Sequence, residues 1–299
     1  MSPGSKGTVA ALLSALSLST MGVFGKFLYQ DGVHPLNVVT LRAIIAFVTL
    51  GAALALLRGR LPRIEPGHIL LFAALGLIGI SCNYAAFFLA LDLATLSTAI
   101  VLLYTYPVFV MLGAVLFLNE RFTMVKLAAL SATLLGCIFI TQAYDPAALR
   151  LNFWGVMFGF AASLTKAVYT LLSKRFLRHY DPWTTVFYAF GFGAFFLLLF
   201  VAPSGLFDLD LSAHSWFLIA AIAWLPTLIG YSLFVVALNY LDASRASVLA
   251  TLEPVAAVVL AALLLGETIA AIQVAGVAAV VFGIVLLHLP HRRGQVVGQ

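Results

Sequence analysis

The sequence predicts an all-α integral membrane protein of ten transmembrane helices, arranged as two inverted five-helix repeats with both termini in the cytoplasm. Three observations carry that prediction. Of 299 residues, 63% are hydrophobic and 9% charged, with a mean hydropathy of +1.11, whereas an average soluble domain is about half apolar and about a quarter charged. Such a chain cannot cover itself with polar surface, which excludes a disordered protein, a disulfide-knit secreted domain and almost every soluble class. The charges also fall in clusters separated by apolar stretches of about 20 residues, enough for a helix to cross roughly 30 Å of hydrocarbon. Finally, the second half of the chain echoes the first at a constant offset.

Taken in order, the expected spans are 8–29, 37–57, 69–91, 95–118, 124–144, 153–173, 183–202, 215–238, 246–265 and 268–289. The first lacks a small-residue cleavage site and is long enough to span, so it reads as a retained helix rather than a signal peptide. The third and fifth hold Cys82 and Cys137, which behave as small hydrophobes there. No Cys/His ligand spacing accompanies them, so no metal is expected. The sixth opens with Gly155 and Gly159, and the seventh carries Gly191 and Gly193 near its middle; close helix packing accounts for both pairs. In the ninth, residues 256–265 are apolar on every face, which excludes the two-residue alternation of a barrel strand. The longest connection, 203–214, is too short to be a separate domain.

Loop charge sets the orientation, because Lys and Arg concentrate on the cytoplasmic side. With the N-terminus inside, that side receives Lys6, Arg58, Arg60, Arg63, Arg121, Lys174, Arg175, Arg178, Arg245, Arg292 and Arg293, with Lys126 just beyond. The other side receives Arg150, with Lys26 at the end of the first helix, and the acids Asp31, Asp92, Asp145, Asp208 and Asp210.

The repeat joins residues 147 apart: Tyr84 with Tyr231, Phe87 with Phe234, Ser97 with Ser244, Pro107-Val108 with Pro254-Val255, Glu120 with Glu267, and Gly136 with Gly283. Matched Pro, Glu, Tyr and Gly are not cheap coincidences of an apolar composition. The halves are expected at 8–144 and 153–289. Five helices per half is an odd number, so the second copy enters the bilayer from the opposite face. Such inversion gives a pseudo-two-fold axis in the membrane plane, a site near the midplane, and two nearly equivalent packings open to alternate sides.

The end of each half carries a resemblance. Glu253-Pro254-Val255 runs through Leu264-Leu265-Gly266-Glu267 and Gln273 to Gly276 and Gly283, and Tyr106-Pro107 through Asn119-Glu120 to Gly136 is a degenerate copy. With the opening 19–26 run, Ser-Thr-Met-Gly-Val-Phe-Gly-Lys, this resembles the drug/metabolite transporter superfamily in its ten-helix, two-repeat branch. Within it the chain is most similar to bacterial exporters of aromatic amino acids. The resemblance implies an inner-membrane exporter whose cavity lies between the halves, lined mainly by the first, third, fourth, sixth, eighth and ninth helices.

Ionisable groups at mid-bilayer cost roughly 2.5 to 3.5 kcal/mol on insertion scales and need a partner or a wet cavity. Three lie inside spans. Lys166 is about 12 Å from its helix end, too deep to reach water fully, so it either faces the cavity and attracts a substrate carboxylate or bonds carbonyls or a buried acid. Glu253 precedes Pro254 and reads as a substrate contact, a proton acceptor, or an acid holding a kink. Arg42, near the start of its span, reads as structural, snorkelling toward the outer face or pairing with an outer acid. Trp224, Thr227 and Tyr231 share one face of a regular helix, Asn83 and Tyr84 take the equivalent place in the third helix, and Tyr104, Tyr106 and Tyr169 add mid-span phenols. The expected substrate-binding set is therefore Lys166, Trp224, Tyr231, Tyr84, Asn83, Tyr106, Tyr169 and Glu253, with Pro107 and Pro254 as hinges.

No G-x-x-x-x-G-K-[ST] loop is present, so this chain hydrolyses no nucleotide. An intramembrane enzyme would need a nucleophile with a base, or a metal cluster, at depth, but His34, His68, His179, His214, His288 and His291 all lie in loops or at span ends. A channel would show rings or filter loops instead of an inverted repeat. The expectation is a secondary exporter of small metabolites, aromatic or large apolar amino acids in particular. It would use no cofactor or nucleic acid and work in the bilayer as a monomer or weak oligomer. A carrier of nucleotide sugars, organophosphates or drugs is the alternative. Phosphates would call for several deep cations, whereas a zwitterion needs one cation and one acceptor.

Overall fold

The computed structural model describes residues 2–31, 33–145, 152–201, 211–266 and 268–287. Within them lie ten apolar helices: α1 (Pro3–Gln30), α2 (Pro35–Arg58), α3 (Pro66–Leu93), α4 (Leu96–Leu118), α5 (Met124–Ile140), α6 (Phe153–Phe176), α7 (Pro182–Val201), α8 (Ala213–Tyr240), α9 (Ala243–Leu265) and α10 (Ala271–Leu286). Local chemistry sets their ends. Thr95, Thr123, Asn152 and Ser212 accept backbone N–H bonds as N-caps, relieving donors that have no partner within the helix. Asn119 and Gly266 turn α4 and α9 off in the left-handed region, at φ 57° and 69°. The expected ends of the seventh and tenth spans, at 202 and 289, lie outside the described residues.

Eight helices are long and apolar enough to cross a bilayer, while α5 and α10 have 17 and 16 residues. These two short helices pack on each other. A Cβ on Gly136 would fall 2.7 Å from the Gly276 carbonyl oxygen, and one on Gly276 would fall 2.8 Å from that of Gly136. Only glycine allows the two backbones to approach so closely.

Helix neighbours repeat as the sequence does. The helix α1 packs on α8 and α9, and its counterpart α6 packs on α3 and α4; α2 meets its counterpart α7, and α5 meets α10. Irregularities repeat as well. A π-helical stretch occupies 77–82 in α3 and 223–230 in α8, while α4 and α9 are interrupted at Tyr104-Thr105 and Ala250-Thr251, just before Pro107 and Pro254. The prolines thus sit in the first turn of a new segment, where a missing N–H costs little. Two carbonyls of the second π segment are taken up by α1, where Ser14 donates to Gly230 O (2.7 Å) and Ser17 to Leu225 O (2.6 Å), while Ser81 of the first π segment donates to Gly193 O of α7 (3.0 Å).

Among the described residues, the Arg- and Lys-bearing connections gather at one end. Arg58 bonds Asp181 at 3.1 Å, Lys126 reaches Glu120 and Asp242 at 3.4 and 2.9 Å, and Lys174 donates to the carbonyls of Leu238 and Leu241 where α8 ends (2.6 and 2.8 Å).

Candidate functional site

The helix α6 sets Lys166 midway along its length, two turns beyond the glycines that let it lie close against α3 and α4. Lys166 is not isolated. Its Nζ stands 3.8 Å from Glu253 Oε2 on α9, with the two side chains 20% and 18% exposed. It also lies 4.6 Å from the ring centre of Tyr106 and 5.5 Å from that of Tyr104, both on α4, positions from which the ring faces attract a cation. Each partner comes from a break. Tyr104 lies in the α4 interruption and Tyr106 follows it, Glu253 follows that of α9, and the Tyr106 hydroxyl donates to Ser247 O across the two helices (3.2 Å). Asn83 of α3 grips α6 one turn earlier, donating from Nδ2 to Ala162 O (2.6 Å) and Thr165 Oγ1 (3.1 Å).

A second cluster forms where the repeats meet. Tyr84 donates through its hydroxyl to the Tyr231 hydroxyl at 3.2 Å, two residues 147 apart. A residue meets its own repeat image only on the axis relating the halves, so this bond marks the pseudo-two-fold. The Tyr231 ring stands edge-on to Tyr169 (5.6 Å between centres) and Phe190 (5.4 Å). Arg42 completes the cluster, its guanidinium carbon 4.3 Å from the centre of the Tyr84 ring. Here the sequence reading is corrected. Arg42 is 3% exposed and is not paired with any acid among the described residues, so it neither snorkels outward nor meets an outer carboxylate. Its Nη1 donates to the thioether of Met21 at 2.9 Å.

The EamA-like transporter family matches the chain twice, over residues 5–142 and 153–289. The chain belongs to that family. An uncharacterized transporter of Archaeoglobus fulgidus is 29% identical over 280 residues, covering 94% of this chain and 95% of the relative. The uncharacterized inner membrane transporter YicL of Salmonella typhimurium is 22% identical over 300 residues, covering 96% and 97%. A crystal structure of another protein superposes with a TM-score of 0.80 at 20% identity over 95% of this chain and 97% of that one, a likeness of fold. Membrane transport, and not catalysis, is therefore the activity class of this EamA-like chain, consistent with the resemblance read from its paired Pro/Glu ends.

Of the expected site residues, this EamA-like transporter brings Lys166, Glu253 and Tyr106 together in one cluster and Tyr84, Tyr231 and Tyr169 in the other, with Asn83 bracing α6. Trp224 stands apart. It is 50% exposed, and its indole N–H donates to Thr49 Oγ1 of α2 at 3.2 Å. The π-helical segment accounts for this: fewer degrees of rotation per residue mean that seven residues no longer return to the same face, so Trp224 leaves the Tyr231 side.

Two functional candidates escaped the sequence. Arg42 was visible as a charge inside a span, but its burial against Tyr84 depends on how α2 and α3 are rotated. Glu120 was visible as half of a Glu pair whose partner, Glu267, lies outside the described residues. In the fold Glu120 caps α9, accepting from the N–H groups of Ala243 and Ser244 and from the Ser244 hydroxyl, while Lys126 balances its charge. A cavity of about 360 Å³ opens beside it at the charged end, lined by Asn119, Glu120, Arg121, Lys174, Arg178 and Asp242.

Proposed function

We propose that this EamA-like transporter exports small metabolites, with aromatic or large apolar amino acids as the substrate class, from the cytoplasm across a bacterial inner membrane by alternating access between its two halves. The supporting observation is the Lys166–Glu253 pair at 3.8 Å, set among phenol rings and still partly exposed. A cation and an acid side by side offer partners to both charged ends of an amino acid, and the rings of Tyr104 and Tyr106 offer apolar faces to its side chain. No resident cofactor is needed, and a monomer or weak oligomer holds the whole site.

The test is uptake and efflux of labelled amino acids in proteoliposomes, with and without a pH gradient. Phenylalanine and leucine should move faster than in protein-free vesicles, and Lys166→Met should cut that flux by at least about tenfold, the lower worth of a charge-assisted contact. Tyr231→Ala should slow phenylalanine more than alanine. Flux of nucleotide sugars but not of amino acids would overturn the substrate assignment.

Hinge motion at the two interruptions is the second part of the reading. Pro107 and Pro254 keep α4 and α9 divided, so Pro107→Ala or Pro254→Ala restores a backbone donor and favours one facing state. Turnover should fall several-fold while equilibrium affinity changes little; wild-type turnover in the double variant would remove the hinge role.

A further inference from the structure

Arg42 and Lys126 are the most buried charged residues among the described ones, at 3% and 9% exposure, and the Glu120 side chain is 7% exposed. Lys126 has carboxylates on two sides. Arg42 has none among the described residues. Its Nε carries no hydrogen bond, its Nη1 meets only the weak acceptor Met21 Sδ, and the Tyr84 face lies beneath its guanidinium. A ring face offsets only part of what a guanidinium loses on leaving water. Of the three ionisable groups that the sequence places inside the spans, Lys166 and Glu253 face each other, and Arg42 is left over.

An arginine differs from a lysine in presenting a planar fork of N–H donors that matches the two oxygens of a carboxylate. The unpartnered Nε–H is one prong of such a fork. Beside it stand Tyr84, Tyr231, Tyr169 and Phe190, a wall of rings joined by edge-on contacts and one hydroxyl bond. We propose that Arg42 binds the carboxylate of the transported substrate and that this aromatic wall receives the apolar body attached to it. The ligand class is an organic carboxylate with an aromatic or bulky apolar group. The inference deepens the amino-acid reading above and rests on it for the choice of ligands tested, since an amino acid is one member of that class. It moves the carboxylate, which the pair reading above gave to Lys166, to Arg42, and leaves Glu253, with Lys166 beside it, to meet an ammonium.

The full-length protein in lipid nanodiscs decides this, by the affinities of L-phenylalanine, 3-phenylpropionate and L-phenylalaninamide for wild type, Arg42→Met, Arg42→Lys and Lys166→Met. Wild type should bind the two carboxylates at least about tenfold more tightly than the amide. Arg42→Met should bring that preference within about twofold, and Arg42→Lys, which keeps the charge without the fork, should retain part of it. The lysine variant also keeps the test open if the methionine variant does not fold. Preference unchanged in Arg42→Met or Arg42→Lys overturns the proposal, as does a wild type that binds no carboxylate. Binding of 3-phenylpropionate through Arg42 without binding of phenylalanine would refute the amino-acid reading and leave Arg42 in place. Loss of the preference in Lys166→Met alone would do the reverse.

Discussion

At the charged end of the molecule three cations meet acids or carbonyls, although the buried Nε of Arg245 carries no hydrogen bond. Lys126 lies between Glu120 and Asp242, Arg58 bonds Asp181, and Lys174 closes two carbonyls at the end of α8. Inside the helix bundle the matching is incomplete: Lys166 is 3.8 Å from Glu253, and Arg42, more deeply buried than either, has no carboxylate among the described residues. The first arrangement is what a fold needs to fasten its loops. The second leaves a buried charge that stability does not require, and such a charge is expected where something that comes and goes completes it. Interior and end therefore differ in what their charges serve: one set holds helices, and the other, on our proposal, awaits a ligand.

Thermal stability of ligand-free protein can break this comparison. Removing one member of the Lys166–Glu253 pair strands the other, so Lys166→Met or Glu253→Gln alone should cost on the order of 3 kcal/mol, while the double variant recovers most of that loss without recovering transport. Arg42→Met should behave oppositely. It removes an unmatched charge and loses one cation–π contact, so the empty protein should be as stable as wild type or more stable by about 1 kcal/mol. A double-mutant cycle in detergent measures the first, and the midpoint of Arg42→Met measures the second. Additive losses at Lys166 and Glu253, or strong destabilisation at Arg42, would erase the distinction between a matched and an unmatched interior charge.

The smallest effect belongs to the exposed pair at the charged end. Burial alone would raise the Asp181 carboxyl, but bonds from Arg58, from the Thr184 N–H and from the Thr184 hydroxyl outweigh it and hold the group below its ordinary value. A carboxyl depressed in the folded state contributes above its unfolded value, near 3.9 for Asp, and the contribution fades as pH falls through the lower folded value. Asp181 also caps α7, so Asp181→Asn, which keeps a capping oxygen, should cost less than about 1 kcal/mol at neutral pH, most of the charge effect being screened. The gap to wild type should close below about pH 3.9. A gap that persists in acid would mean that the amide geometry, and not the charge, is responsible.

Much of the architecture was legible because the bilayer is a severe filter. Apolar runs of span length, the Lys/Arg clusters between them, and Pro, Glu, Tyr and Gly repeated at one offset are one-dimensional signals, and each can be read from the order of residues along the chain. The depth of Lys166 and the adjacency of Glu253 and Pro254 are of the same kind, since a residue's position along a helix follows from counting. What the count could not supply is rotation about the helix axis. The π-helical segments at 77–82 and 223–230 alter that rotation, which is why Trp224 faces Thr49 while Tyr231 faces Tyr84. Contacts between helices distant in sequence were equally hidden: Lys166 with Glu253, Glu120 with the start of α9, and Arg42 with Tyr84 each join side chains from different helices. Hydropathy and spacing determined that this chain crosses a membrane in two related halves with charge buried inside. Only the tertiary structure, by fixing how each helix turns against its neighbours, decided which buried charge is answered by another and which is not.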